Sequence, residues 1–180
     1  MKEWINLEKI FTTQLIGRLQ KIDQQELDIE DGARLLAQAI VGEGSIYIYA
    51  EEELEGIYLQ AKYGRDPFPK VEQLTEENLP SLSTADRVLI VTKNAQSEKV
   101  LKLAQALHEM QVGFMVIGVK DPKQENPIED IAQAFVDLNL DKGLVPTMTG
   151  ERKGFPYLLA TLYVYHHMKL IIDDMVEDYE

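Results

Sequence analysis

The sequence predicts a three-layer α/β/α sandwich around a mainly parallel sheet of about five strands. Three observations carry that prediction. RVLIVT (87–92) and VGFMVIGV (112–119) are unbroken apolar runs, the pattern of strands covered on both faces. Strand-like runs alternate with amphipathic helical segments, the order of a βαβ chain. No internal repeat or linker divides the 180 residues, which are enough for one domain with a sizeable core.

Taken in order, Leu7, Ile10, Phe11, Leu15, Leu19 and Ile22 recur at helical spacing and mark a first helix. IEDGARLLAQAI continues with a second, its Ala33, Leu36, Ala37 and Ile40 on one side, and GEG ends it. SIYIYA (45–50) is a β-branched and aromatic strand. EELEGIYLQAK (52–62) reads as a helix, stopped by Gly64 and the prolines of GRDPFPK. Residues 70–85 are irregular, with room for one short strand or turn. After RVLIVT, the helix EKVLKLAQALHEM turns Val100, Leu101, Ala104 and Leu107 inward. VGFMVIGV stops at the turn residues Asp121 and Pro122; a short helix IEDIAQ and the strand AFVDLNL follow. KGLVPTMTGERKG is a loop, and a long helix covers about 155–176. The expected division is an N-terminal helix (1–28), an α/β core (29–150) and a C-terminal helix (155–177).

Composition bounds the function. A formal charge of -13 repels phosphate backbones and anionic membranes, so neither nucleic acid nor a membrane is an expected partner. With no cysteine there is no disulfide framework, thiolate metal site or cysteine nucleophile. MKEWINLEKIF lacks the apolar core of a signal peptide, and YLLATLYVYHHMKLII is interrupted by His166, His167 and Lys169. The expected location is cytoplasmic.

In an open parallel sheet, ligands bind beyond the carboxyl ends of the strands. TKNAQS (92–97) lies there, between RVLIVT and the next helix. Ser97 is a preferred N-cap, the first helical amides are free donors, and the helix dipole favours an anion. Thr92, Asn94, Gln96 and Ser97 add polar groups and Lys93 a charge; alternatively, Ser97 only caps and the rest is a solvated turn. By contrast, the first strand runs into AEEELEG, where a dinucleotide fold needs glycines, so a nicotinamide site is not expected.

VLIVTKNAQSEKVLKLAQAL followed by GFMVIGV resembles the core of the sugar isomerase (SIS) domain, over roughly residues 30–176. Thr92 matches the first serine of that family's phosphate loop and Ser97 its last hydroxyl, with Asn94 and Ala95 in place of the central Ser-Gly. GARLLAQA, GLVPTMTGERKGFP and LYVYHHMKL are similar to a small uncharacterised SIS-like family of Gram-positive bacteria, whose relatives carry phosphoheptose-isomerase labels. The resemblance implies an SIS-type fold and a sugar phosphate held by Thr92, Lys93, Asn94, Ala95, Gln96 and Ser97. It also implies a homodimer, for which the two apolar lines of the C-terminal helix argue as well.

The family's Gly- and Ser-rich first loop is replaced here by Glu51, Glu52 and Glu53. One glutamate, Glu53 or Glu55, is a candidate to bind sugar hydroxyls or move a proton; acids in a first helical turn also simply suit the dipole. His166 and His167 are the other candidate proton-transfer groups, but adjacent helical residues point about 100° apart and cannot share a metal. EEELEGIYLQAKYG lacks the histidine of zinc-dependent phosphoheptose isomerases, and TKNAQS supplies no acid for magnesium, so neither metal nor cofactor is expected. Arg152, beside Lys153, either completes a phosphate clamp or belongs to a solvated loop. Two functions stay open: a metal-independent aldose–ketose isomerase acting through an enediol, and a non-catalytic phosphosugar-sensing domain.

Overall fold

The computed structural model describes residues 2–178. Five strands, β1 (Ile46–Ala50), β2 (Val71–Gln73), β3 (Arg87–Thr92), β4 (Gly113–Gly118) and β5 (Ala134–Asp137), form one sheet in the order β2-β1-β3-β4-β5. Every pairing is parallel. The helices are α1 (Lys2–Asp23), α2 (Glu26–Val41), α3 (Gly56–Tyr63), α4 (Glu98–Glu109) and α5 (Tyr157–Glu177). This is the expected three-layer sandwich.

Strand alternation divides the core in two. Ile46, Ile48, Leu89, Val91, Met115, Ile117 and Val136 face α2, α3 and α5, which contribute Leu36, Ile57, Val164, Tyr165 and Met168. Val88, Ile90, Phe114, Val116 and Phe135 face the other way, onto Val100, Ala104 and Leu107 of α4. Each fully buried Ile, Leu or Phe contributes about 1.5–3 kcal/mol, so both faces favour this register. Shifting a strand by one residue would exchange the two sets.

Several elements differ from the expected ones, for local reasons. The helix expected over 52–62 is broken into a 3-10 turn (Glu52–Glu55) and α3, with Glu52 left-handed at φ 53. The helix expected at IEDIAQ is only a 3-10 turn, Pro127–Asp130. Gln133 ends it by joining the sheet early: its Oε1 accepts from Phe114 N at 2.8 Å, and its own N–H donates to the Phe114 carbonyl. β5 stops at Asp137 because Asn139 turns left-handed and donates its N–H to the Asp137 carboxylate at 2.9 Å. The loop after it holds a small antiparallel hairpin, β6 (Val145–Pro146) with β7 (Arg152–Lys153), that periodicity does not reveal.

On α5 the two apolar lines part company. Tyr165 and Lys169 are buried toward the sheet, whereas Leu159 is about half exposed. Burial, with Asp173 and Asp66 adding to it, pushes the Tyr165 phenol up to about 12. The second line finds part of its mate in α1, where the Tyr163 hydroxyl donates to Asp23 at 2.8 Å.

The entries of β1 and β3 are stapled by one buried carboxylate. Asp86 accepts from Ser45 N at 2.8 Å, Ser83 N at 2.7 Å and Ser83 Oγ at 3.0 Å. The approach is close: a Cβ on Gly44 would lie 1.9 Å from the Ala85 carbonyl oxygen. Asp86→Ala leaves two amides without their acceptor and is expected to lower stability by about 2–3 kcal/mol. Urea unfolding measures it; a loss below about 0.5 kcal/mol, the level of an ordinary surface change, would show that the staple is incidental.

Candidate functional site

β1 is followed by α3 on one face of the sheet and β3 by α4 on the other, so a crevice opens between their carboxyl ends. This is the topological switch point where open α/β sheets bind ligands. The turn after β1 brings Glu51–Glu55 to one wall, and Thr92–Ser97 after β3 forms the other.

The six loop residues have unequal freedom. Thr92 is fully buried; its Oγ1 accepts from Asn94 N at 3.1 Å and lies 3.2 Å from the Asn94 carbonyl and 3.4 Å from Glu51 Oε2. Ala95 is fully buried, and its N–H donates to the Val119 carbonyl at 2.9 Å. Gln96 is tied to the next loop, donating to the Asp121 carbonyl at 3.1 Å and accepting from Asp121 N at 3.0 Å. Ser97 caps α4 through Oγ, which accepts from Val100 N at 3.4 Å. Asn94 is exposed; its Oδ1 accepts from Gln96 N at 3.1 Å, which leaves its NH2 as an unused donor. The first two amides of α4, on Glu98 and Lys99, precede any intrahelical acceptor.

Lys93 crosses the crevice. Its Nζ pairs with Glu52 and, at 3.0 Å, with Glu53. Hydrogen bonds donated to Glu52 and then Glu53 raise the lysine above its usual value. The same contact with Lys93 holds the Glu53 carboxyl below the ordinary carboxylate range. That is the opposite direction from a base poised near neutrality. Glu55 makes no contact with Lys93 and lines a 430 Å³ cavity beside the crevice, shared with Tyr49, Leu74, Leu79, Lys99 and Leu103.

The remaining candidates lie apart from this crevice. His166 is exposed, beside the Tyr165 ring; His167 stacks on Tyr163 at 4.4 Å and lies 3.8 Å from Asp23. Both stand at least nine residues beyond Tyr157, about 13 Å along the helix axis. Arg152 donates Nε to the Gly143 carbonyl at 2.6 Å and Nη2 to that of Leu144 at 3.0 Å, bracing its own hairpin. Among the described residues no group of three or more His, Cys, Asp or Glu side chains is arranged to hold a metal ion.

Four residues outside the candidate set belong to the site. Glu51 accepts from Tyr49 Oη at 2.7 Å and lies 3.9 Å from Lys99 Nζ. Tyr157, at the start of α5, has its phenol raised by burial and feels the charges of Lys93, Glu53 and Asp141. The signal for Tyr49 is strand alternation, which puts it on the α4 face; Lys99 stands two residues past the N-cap of α4. Nothing local marks Tyr157, which arrives from α5 through the tertiary fold.

The chain belongs to the family described as "Domain of unknown function (DUF2529)", whose profile matches residues 7–176. It is 38% identical over 172 residues to the uncharacterized protein YwjG of Bacillus subtilis (strain 168), covering 95% of this chain and 98% of that one. Solved structures share the fold at 11–13% identity. The Vibrio vulnificus NanR protein complexed with ManNAc-6P has a TM-score of 0.65 over 95% of this chain, which spans 62% of that protein's length. The phosphoheptose isomerase GmhA of Neisseria gonorrhoeae has a TM-score of 0.63, covering 96% of this chain and 98% of the other. A hypothetical protein of Methanococcus jannaschii, whose structure infers a 3-hexulose-6-phosphate isomerase function for it, also has a TM-score of 0.63, with 99% and 92% covered.

The Lys93–Glu53 contact has a measurable consequence. In Lys93→Ala, Glu53 is expected to titrate back near its ordinary value of 4.5, above the wild-type value. A depressed carboxylate contributes stability above the unfolded value that disappears as pH falls through the folded one. The stability difference between wild type and Lys93→Ala should therefore shrink below about pH 4.5 and stay modest above it, since the pair is solvent-screened. Carboxyl NMR titration reads the first effect; an unchanged Glu53 in the variant would mean the pair does not form in solution.

Proposed function

We propose that this protein binds a sugar phosphate in the β1–β3 crevice as an SIS-type domain, with the phosphate at the start of α4. The observation that carries this reading is the Thr92–Ser97 loop at the switch point, which contains Lys93 and is followed by two amides that precede any intrahelical acceptor. The NanR structure with ManNAc-6P and the phosphoheptose isomerase GmhA support it through the shared fold. In this reading the amides of Glu98 and Lys99, the Asn94 NH2 and the Lys93 ammonium hold the anion, and no cofactor takes part.

Non-catalytic phosphosugar sensing is the reading that the geometry favours. An isomerase must move a proton at the sugar, and Glu53, paired with Lys93 of the loop, is held below the ordinary carboxylate range and is therefore weakly basic. The specific observation for metal-independent isomerisation is that the Tyr157 phenol, raised by burial, feels the charges of Lys93 and Glu53. The two readings are separated by incubating the protein with a panel of sugar phosphates in deuterated water. Sensing predicts no exchange of any sugar C–H proton; exchange that Glu53→Gln abolishes would establish catalysis.

Binding itself is tested by thermal shift. A sugar phosphate is expected to raise the melting temperature by mass action. Thr92→Ala with Ser97→Ala should remove that rise by loosening the loop; the lost cap alone costs about 1 kcal/mol, so the comparison is made within each variant, with and without ligand. A ligand-induced rise that survives in the double variant would place the anion elsewhere.

We also propose a cytoplasmic homodimer. The support is apolar surface left open: a groove of about 980 Å³ between α1 and the β6–β7 hairpin, lined by Leu7, Phe11, Val145, Pro146 and Met148. Met148, on the wall of this groove, is 99% exposed. Apolar surface gathered in one place marks an interface more often than a solvated face. Light scattering at micromolar concentration should return twice the chain mass, and a monomer mass would refute the dimer.

A further inference from the structure

We propose that Glu51 is a built-in competitor at the edge of the anion site: its carboxylate holds the Thr92 hydroxyl and the Lys99 ammonium, which a phosphate at the start of α4 would otherwise recruit, and a ligand gains them by displacing it. This rests on the reading of the crevice as an anion site. Three elements converge on this one side chain. Tyr49 of β1 donates to Oε1 at 2.7 Å, Thr92 of β3 offers its hydroxyl to Oε2 at 3.4 Å, and Lys99 of α4 brings its ammonium to 3.9 Å. Lys99 is held in place over the Tyr49 ring, 5.4 Å from its centroid.

A carboxylate and a phosphate seek the same partners, namely hydroxyls, ammonium groups and aimed amides. Glu51 already has the hydroxyl and one ammonium. Thr92 has no exposed surface, and Glu51 Oε2 is the side-chain oxygen within reach of its Oγ1, at 3.4 Å. The second ammonium, on Lys93, is engaged by Glu52 and Glu53 from the same turn. Glu52 occupies the left-handed region, unusual for a residue other than glycine, and its ion pair across the crevice supports that conformation. Both lysines facing the loop are thus paired within the chain. A neutral sugar offers them nothing in exchange, whereas a phosphate monoester carries enough charge to recruit both. Discrimination then comes from the contact that must be lost as well as from those gained.

The test measures binding of inorganic phosphate, and of glucose 6-phosphate, by titration calorimetry to the full chain. Glu51→Ala should tighten both by about tenfold, the scale of removing one nearby unit charge, and Glu51→Gln should fall between it and wild type. Glu109→Ala, which removes one charge at the far end of α4, controls for net charge and should leave binding unchanged. A purely structural Glu51 predicts weaker binding after substitution, so a gain is not the ordinary outcome of a damaged site. Equal affinity in wild type and Glu51→Ala, or weaker affinity in the variant, overturns the competitor role while leaving the anion site standing. Absence of binding in every form overturns the anion site, and the competitor with it. If Glu51→Ala fails to fold, Glu51→Gln decides, since it keeps the size and one acceptor.

Discussion

The adjacency of β1 and β3 as parallel strands whose chains leave on opposite faces is the constraint from which the rest follows. Adjacent parallel strands bring their carboxyl ends to the same level. Opposite exits pull α3 and α4 apart and leave the crevice between them. Asp86 secures the lower end of this pair, where Ser45 and Ser83 donate to a single carboxylate. The upper end has no such backbone staple; it is joined by side chains, Lys93 to Glu52 and Glu53, and Thr92 to Glu51. A fixed base and a side-chain-bridged mouth allow the mouth to rearrange without disturbing the sheet.

Charge explains why the mouth is bridged. In a chain of formal charge -13, a cation beside three glutamates finds a carboxylate before it finds a ligand. Lys93 and Lys99 accordingly sit in ion pairs, and the local field at the loop is far weaker than the lysines alone would give. Exposed pairs of this kind contribute little to stability.

The architecture was legible because it depends on long apolar runs: RVLIVT and VGFMVIGV have no solvated face, and only a doubly covered parallel sheet suits them. Elements decided by single contacts were not. Whether IEDIAQ is a helix turns on Gln133 hydrogen-bonding Phe114 from another strand, and the β6–β7 hairpin depends on Arg152 reaching the Gly143 and Leu144 carbonyls. For the candidate loop, the place in the fold was legible and the internal bonding was not. TKNAQS lies at the switch, but its composition does not say that Gln96 is turned toward Asp121 or that Ala95 is sealed against Val119. The crevice side of Glu51, Tyr49 and Lys99 needed three elements placed together, which no window of sequence contains.

Those internal bonds also alter what kind of recognition the loop can offer. A hydroxyl-rich phosphate loop wraps an anion with side chains; here the Ser97 hydroxyl is used by the helix cap, the Thr92 hydroxyl lies beneath Glu51, and Gln96 faces away. Asn94 closes its own turn by accepting from Gln96 N. The donors left toward the crevice are the Asn94 NH2 and two backbone amides, beside a Lys93 ammonium already paired with Glu52 and Glu53. Backbone amides at a helix start are fixed by the helix and cannot be lost to a side-chain rotamer. A site built on them needs few hydroxyls, which accounts for how Asn94 and Ala95 can stand in the middle of the loop without emptying it of donors.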